Sequence, residues 1–250
     1  KPESSDTVSF GAVLTPTFIK GFTASVDYYD IKIEDQITII SQTAILGNCA
    51  QTGNAFSCAL INRDPTSGAI FNSTTLGVGV DSLTRNSGTQ TASGIDVEAN
   101  YRFNIGEAGG DLGLQFVGSY LESLETSYGP GFDAFDCVGL YGLVCGNPTP
   151  EWKHRLRGTW TPPWDLSFTV SWRYVEPVEL DVNQTSSTVF GYPFNGTLGN
   201  TLDNELPSFD YFDVAVDWSM SDNIRLVAGI KNLTDEDPPV TDSQVFGISA

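Results

Sequence analysis

The sequence predicts an all-β fold, an antiparallel sheet of eight strands forming a segment of a transmembrane β-barrel. Three observations predict it. Apolar residues recur at every second position in eight separate runs, while helical periodicity is nearly absent. The connections between runs are alternately short and long. The polar positions carry rows of charge, and aromatics gather near the strand ends. A soluble β-sandwich also alternates apolar with polar residues, and it stands as the rival reading.

In chain order, Val8, Phe10, Ala12 and Leu14 share one face of the first strand, and Phe22, Ala24, Val26 and Tyr28 one face of the second. The pattern then passes to Ile31 and Ile33, opposed by Asp30, Lys32 and Glu34, so a bulge is expected near Tyr29. Ile95, Val97, Ala99, Tyr101 and Phe103 oppose Asp96, Glu98, Asn100 and Arg102 in the third. Leu112, Leu114, Phe116, Gly118 and Tyr120 form the fourth row. In the fifth, Trp152, His154, Leu156, Gly158 and Trp160 alternate with Lys153, Arg155, Arg157 and Thr159. Leu166 to Tyr174, Phe212 to Trp218 and Ile224 to Ile230 complete the set.

Short connections at Thr15–Lys20, Asn104–Gly110, Thr161–Asp165 and Ser219–Asn223 are rich in Pro, Gly, Asn and Asp, as hairpins require. The others run from about Ser41 to Asp81, Thr126 to Thr149 and Glu176 to Glu205, and Leu233–Ala250 begins a further one. Strict alternation puts all long loops at one end of the sheet. Phe103, Trp160, Trp164 and Trp218 lie beside short turns, whereas Tyr28, Tyr120, Trp152, Tyr174 and Phe212 lie toward the long loops. Two such belts match the two interfaces of an outer-membrane barrel.

Composition narrows the function. The 250 residues carry 12 Lys+Arg against 31 Asp+Glu, a formal charge of −19, so a basic nucleic-acid-binding face is excluded. Aromatics at 12% exclude an unfolded polyanion. No apolar run approaches the roughly 18 residues of a membrane helix, which leaves barrel strands open. The first residue is Lys1, no signal segment opens the sequence, and the last residues end without a closing strand. The chain therefore reads as a piece of a larger polypeptide or a processed product.

Candidate chemistry is sparse. Cys49 and Cys58 lie in one long loop, Cys137 and Cys145 in another, at spacings foreign to zinc sites and with no His nearby. They read as two loop disulfides, with pairing between the loops a lesser alternative. His154, the one histidine, sits on the apolar face, and no Gly-x-Ser-x-Gly turn accompanies it, so nucleophilic hydrolysis is not expected. Acid pairs such as Asp96/Glu98 and Asp213/Asp217 are too numerous to single out a glycosidase. Asp235–Asp237 lacks the spacing of a calcium loop. No metal and no cofactor is expected. Glu176 to Glu205 is acidic, and its aromatics Phe190, Tyr192 and Phe194 are candidates for stacking a ligand.

Several segments are similar to one family. They are Lys1-Pro-Glu-Ser-Ser-Asp-Thr7, Gly21 to Ile37, Ser93 to Phe103, Pro150-Glu-Trp-Lys-His-Arg-Leu156, Phe212 to Trp218, and Leu226 to Pro239. In this order they resemble the C-terminal barrel of TonB-dependent outer-membrane receptors across nearly the whole chain. The resemblance implies a barrel of about 22 strands around an N-terminal plug. It implies import of a scarce nutrient, such as a metal chelate, vitamin, oligosaccharide or peptide, with energy delivered by a TonB complex acting through the plug. Residues 1–250 would be the C-terminal part of that barrel, without plug or final strand. The paired cysteines and Arg63-Asp-Pro65 suggest members with bulky extracellular loops.

The expected partners are outer-membrane lipid, the rest of the same barrel and plug, TonB and an unidentified nutrient. Long loops would be extracellular and short turns periplasmic, in a Gram-negative bacterium. Alternation places Lys153, Arg155, Arg157 and Arg173 on the lumen face with Asp96 and Glu98 opposing, and these six are the candidate ligand-path residues. The rival functions are a secreted carbohydrate-binding β-sandwich and a structural barrel piece without transport.

Overall fold

The computed structural model describes residues 2–71, 76–142, 144–184 and 204–239. In chain order the elements are β1 (Ser4–Leu14), β2 (Phe22–Ile39), α1 (Gln42–Thr52), α2 (Ala55–Ala59), β3 (Ile61–Asn62), β4 (Gly79–Val80) and β5 (Thr84–Asn104). There follow β6 (Asp111–Ser127), β7 (Phe135–Asp136), β8 (Leu140–Gly142), β9 (Gly146–Thr149), β10 (Trp152–Thr161) and β11 (Leu166–Val175). The last are β12 (Val178–Leu180), β13 (Glu205–Leu206), β14 (Phe209–Ser221) and β15 (Ile224–Ile230).

The eight long strands pair in the order β1-β2-β5-β6-β10-β11-β14-β15, every neighbour antiparallel, with β7 added to β6. This is a meander: each strand pairs with the next long strand of the sequence. Among the described residues β1 and β15 each pair on one side only, so the sheet is an arc and does not close.

Register carries the two-faced pattern across the arc. Tyr28 pairs with Ile95, Ile95 with Tyr120, and Tyr120 with Trp152, all on one face. Lower on that face run Val26, Val97, Gly118, His154 and Tyr174. Among the described residues no second sheet or helical layer covers these rows. Among the described residues the buried hydrophobic side chains, from Ile40 and Ile45 to Leu180 and Leu206, belong instead to the long connections, with Pro162 buried in a short turn. Val26, Val170 and Leu226 keep 44%, 50% and 49% of their surface exposed, which in water would be a large exposed apolar patch. The β-sandwich reading is overturned on this ground.

The bulge expected near Tyr29 is not there. β2 pairs with β1 without interruption from Ser4↔Glu34 to Leu14↔Ala24, and with β5 from Phe22↔Tyr101 to Ile33↔Gln90. The shift lies higher, between Ile33 and Ile37, where Asp35 has a φ of 54°. Asp30, Lys32 and Glu34 therefore continue the outer face of Tyr28. The side-chain chemistry changes there while the strand's phase does not. A barrel strand needs about 9–11 residues to cross a membrane. β2, β5 and β6 have 18, 21 and 17, so they extend well beyond the aromatic belt at the long-loop end.

The long connections are folded, which their polar composition did not announce. Ser41 caps α1 by accepting from the Ala44 amide at 3.1 Å, and Gly53 closes the helix in the left-handed region at φ 67°. The helix packs Ala44 and Ile45 with Ile40, Leu60 and Phe132, so two long loops share one small core. Asn48, 1% exposed, donates to Ser57 Oγ at 2.9 Å and to the Gly131 carbonyl at 2.8 Å, and accepts from Thr52 Oγ1. A second core forms where β13, β12, β8 and β9 make a four-stranded sheet around Tyr141, Val178, Leu180 and Leu206. There the buried Asp181 accepts from the Val144 and Cys145 amides at 2.7 and 2.8 Å.

Candidate functional site

The face opposite the apolar rows is charged and hollowed. Register aligns its side chains into three tiers. The upper tier runs Asp27, Asp96, Ser119, Lys153 and Val175 across β2, β5, β6, β10 and β11. The middle tier runs Ser25, Glu98, Val117, Arg155, Arg173 and Tyr211. The lower tier runs Thr23, Asn100, Gln115, Arg157, Ser171 and Asp213. Asp96 and Glu98 thus stand two strands from Lys153 and Arg155, about 10 Å at the usual strand spacing, with the uncharged Ser119 and Val117 between.

The upper two tiers line one cavity of about 570 Å³ that takes in Asp27, Asp96, Glu98, Lys153, Arg155 and Arg173. A second hollow, with Arg155, Arg157, Asp213 and Lys231 in its wall, adjoins it toward the turns. Five of the six residues singled out by alternation therefore meet in one cavity, and Arg157 lies in the next.

Two kinds of charge occupy this face. Arg173 forms a two-point pair with Asp213, Nε to Oδ2 at 3.2 Å and Nη2 to Oδ1 at 3.1 Å, and its guanidinium lies 5.2 Å from the Tyr211 ring centre. Asp213 also accepts from the Asn232 amide at 2.9 Å, which anchors the chain leaving β15. Near the short turns Arg225 grips Asp217 through Nε and Nη2. Lys153, Arg155 and Arg157 have no ion pair among the described residues. All three are exposed, so the lumen face offers uncommitted positive charge at its loop-side half.

Asp27 escaped the sequence reading, although its alternation with Ser25 on β2 marks it as lumen-facing. Its carboxylate leans over Gly11 of β1, where a Cβ would collide with it. Gly94 plays a similar part for Tyr29, whose hydroxyl would lie 2.5 Å from a Cβ there. His154 is on the outer face. Its Nδ1 accepts from Trp152 Nε1 at 2.8 Å, and rings of Phe116, Trp172 and Tyr174 surround it within 5.5 Å. The lone histidine is a member of the aromatic belt. At the turn end, Trp160 donates to the Gly109 carbonyl at 2.7 Å, stacks on Phe168 and meets Trp164 edge-on.

Both disulfides are local: Cys49 bonds to Cys58 and Cys137 to Cys145. The Arg63-Asp-Pro65 segment forms a turn in which Asp64 accepts from the Thr66 and Ser67 amides. Phe190, Tyr192 and Phe194 lie outside the described residues.

A sheet greasy and unpacked on one face, wet and charged on the other, and belted by aromatics at both ends is the wall of a membrane β-barrel. The model of the TonB dependent receptor-like β-barrel family matches residues 1–233, and the chain belongs to that family. Among solved structures it is similar to the ferric enterobactin receptor PfeA of Pseudomonas aeruginosa, at 12% identity and a TM-score of 0.55 over 94% of this chain and 26% of that one. It is also similar to the ferric-catecholate import receptor Fiu of E. coli K12, at 13% identity and a TM-score of 0.51 over 95% and 24%. The FrpB iron transporter of Neisseria meningitidis matches at 14% identity and a TM-score of 0.51 over 94% and 28%. At such identities the likeness is one of fold, and the chain spans about a quarter of the length of these receptors. Among curated protein sequences none matches it.

Proposed function

We propose that residues 1–250 are the C-terminal part of the barrel of an outer-membrane active-transport receptor. It imports a scarce nutrient with energy supplied by TonB through a plug outside this chain, and it is not an enzyme. The long loops face the exterior and the short turns the periplasm. Loops capture the nutrient, and Lys153, Arg155, Arg157 and Arg173 line its path with Asp96 and Glu98 opposite.

The observation that carries the reading is the charged tier structure on the lumen face. Lys153, Arg155 and Arg157 occupy three successive tiers of β10 and have no ion pair among the described residues. Three cations in succession along one face of one strand, about 7 Å apart, repel one another and are of no use to a purely structural barrel. The names of the similar structures support the nutrient class, since they describe a ferric enterobactin receptor and a ferric-catecholate import receptor.

The test is uptake in the source bacterium. Deleting the receptor should abolish growth on one limiting nutrient, and the Arg155→Ala, Arg157→Ala double variant should lower its uptake at least ten-fold with normal receptor abundance. Uptake should also stop when the proton gradient is collapsed. Unchanged uptake in the double variant removes both arginines from the path, and uptake that survives loss of the gradient removes the energy coupling.

A further inference from the structure

Resting on that reading of the site, we infer that its ligand is dipolar: an ammonium group at one end and a carboxylate or similar oxyanion at the other, about 10 Å apart. The cavity at the loop-side half of the lumen has one wall of each sign. Asp27, Asp96 and Glu98 come from β2 and β5, while Lys153 and Arg155 come from β10; Arg173 of β11 also borders the cavity, but its charge is paired with Asp213. The walls are matched in height. Asp96 and Lys153 flank Ser119 in one tier, and Glu98 and Arg155 flank Val117 in the next. The strand between them is uncharged at both tiers, so the opposite charges are held two strand spacings apart, about 10 Å. Among the described residues neither Asp96 nor Glu98 forms an ion pair with Lys153 or Arg155.

The contrast with the rest of the same face gives this its force. At the cavity's border and below it opposite charges are brought together, Arg173 with Asp213 and Arg225 with Asp217. Those pairs neutralise one another across adjacent strands. In the cavity the sequence inserts β6 between the two signs and leaves each wall with a field of its own. A ligand carrying one sign is drawn to one wall only. A ligand carrying both signs at the right separation satisfies both walls, and each end adds charge-assisted hydrogen bonds in a partly desolvated hollow. Ser119 and Val117 form the floor between them, small uncharged side chains that suit a slender, weakly polar midsection.

The experiment uses the whole receptor in detergent micelles and a peptide probe. Trialanine has termini about 10 Å apart when extended. Its binding is compared calorimetrically with that of N-acetyl-trialanine, which keeps only the anion, and trialanine amide, which keeps only the cation. Free trialanine should bind at least ten-fold more tightly than either. The Asp96→Asn, Glu98→Gln variant should lose that advantage over the N-acetyl peptide, and the Lys153→Gln, Arg155→Gln variant its advantage over the amide.

Equal binding of free and N-acetyl peptide makes this a simple anion site and overturns the inference, as does failure of all three peptides to bind. If the acid-wall variant lowers the receptor's melting temperature while trialanine affinity stays the same, the acids hold another part of the receptor, and the inference again fails. None of these results touches nutrient uptake by cells, so the import reading stands or falls separately.

Discussion

Arg155 and Arg173 stand directly opposite each other on β10 and β11, two guanidinium groups on one face of one sheet. At such positions Cβ atoms are about 5 Å apart, and like charges repel. Arg173 turns aside to Asp213 and Tyr211, and Arg155 is left facing the lumen. This placement costs the sheet stability, and for that reason the proposed ligand path rests most heavily on Arg155.

Arg155→Ala should therefore leave the receptor as stable as the parent or raise its stability by about 0.2–1 kcal/mol, the usual range for cross-strand pairs. Equilibrium urea unfolding in micelles, followed by tryptophan fluorescence, reads this. A loss beyond 1 kcal/mol would mean that Arg155 has a structural partner.

Asn48→Ala attacks the loop unit without touching the barrel. The substitution leaves Ser57 Oγ and the Gly131 carbonyl without their buried donor, at a cost of about 1–3 kcal/mol. Hydrogen exchange at the amides of α1 should quicken accordingly, while amides of β10 and β11 keep their protection. Quickening in both would show that loops and wall unfold as one unit.

The two disulfides each close a ring of about ten residues, worth about 3 kcal/mol by restricting the unfolded loop. Reduction should open residues 41–62 and 137–149 to limited proteolysis and leave the strands uncut. The heat-modifiable mobility of the folded barrel should not change.

The sheet was legible in the sequence because its two faces meet two solvents. Ile95 to Phe103 against Asp96 to Arg102 is the period-2 signal of a two-faced strand, and all eight long strands announce themselves this way. The signal stops where the membrane stops. Arg85 to Ser93 is polar on both faces, so the first half of β5 gave no sign, and Asp30 to Glu34 mimicked a phase slip. The loop elements α1, α2 and β12 were hidden for a related reason. They are short and owe their form to cores shared between loops, such as Ile45 with Phe132, and no local period records a contact between distant segments. Ser41 and Gly53 were the available signal, a cap at each end of eleven residues. The ligand-path candidates followed from alternation, but the tiers, and so the pairing of Asp96 with Lys153 across Ser119, required the register.

The central claim is that lipid touches the even-numbered residues of β11 and water the odd-numbered ones. Nitroxide labels placed singly from Leu166 to Val175, in the whole receptor in outer-membrane vesicles, test it most directly. Collision with oxygen, which concentrates in lipid, should peak at Phe168, Val170 and Trp172. Collision with a water-soluble nickel chelate should peak at Ser167, Thr169, Ser171 and Arg173. A profile without this two-residue alternation, or with its phase reversed, contradicts the account.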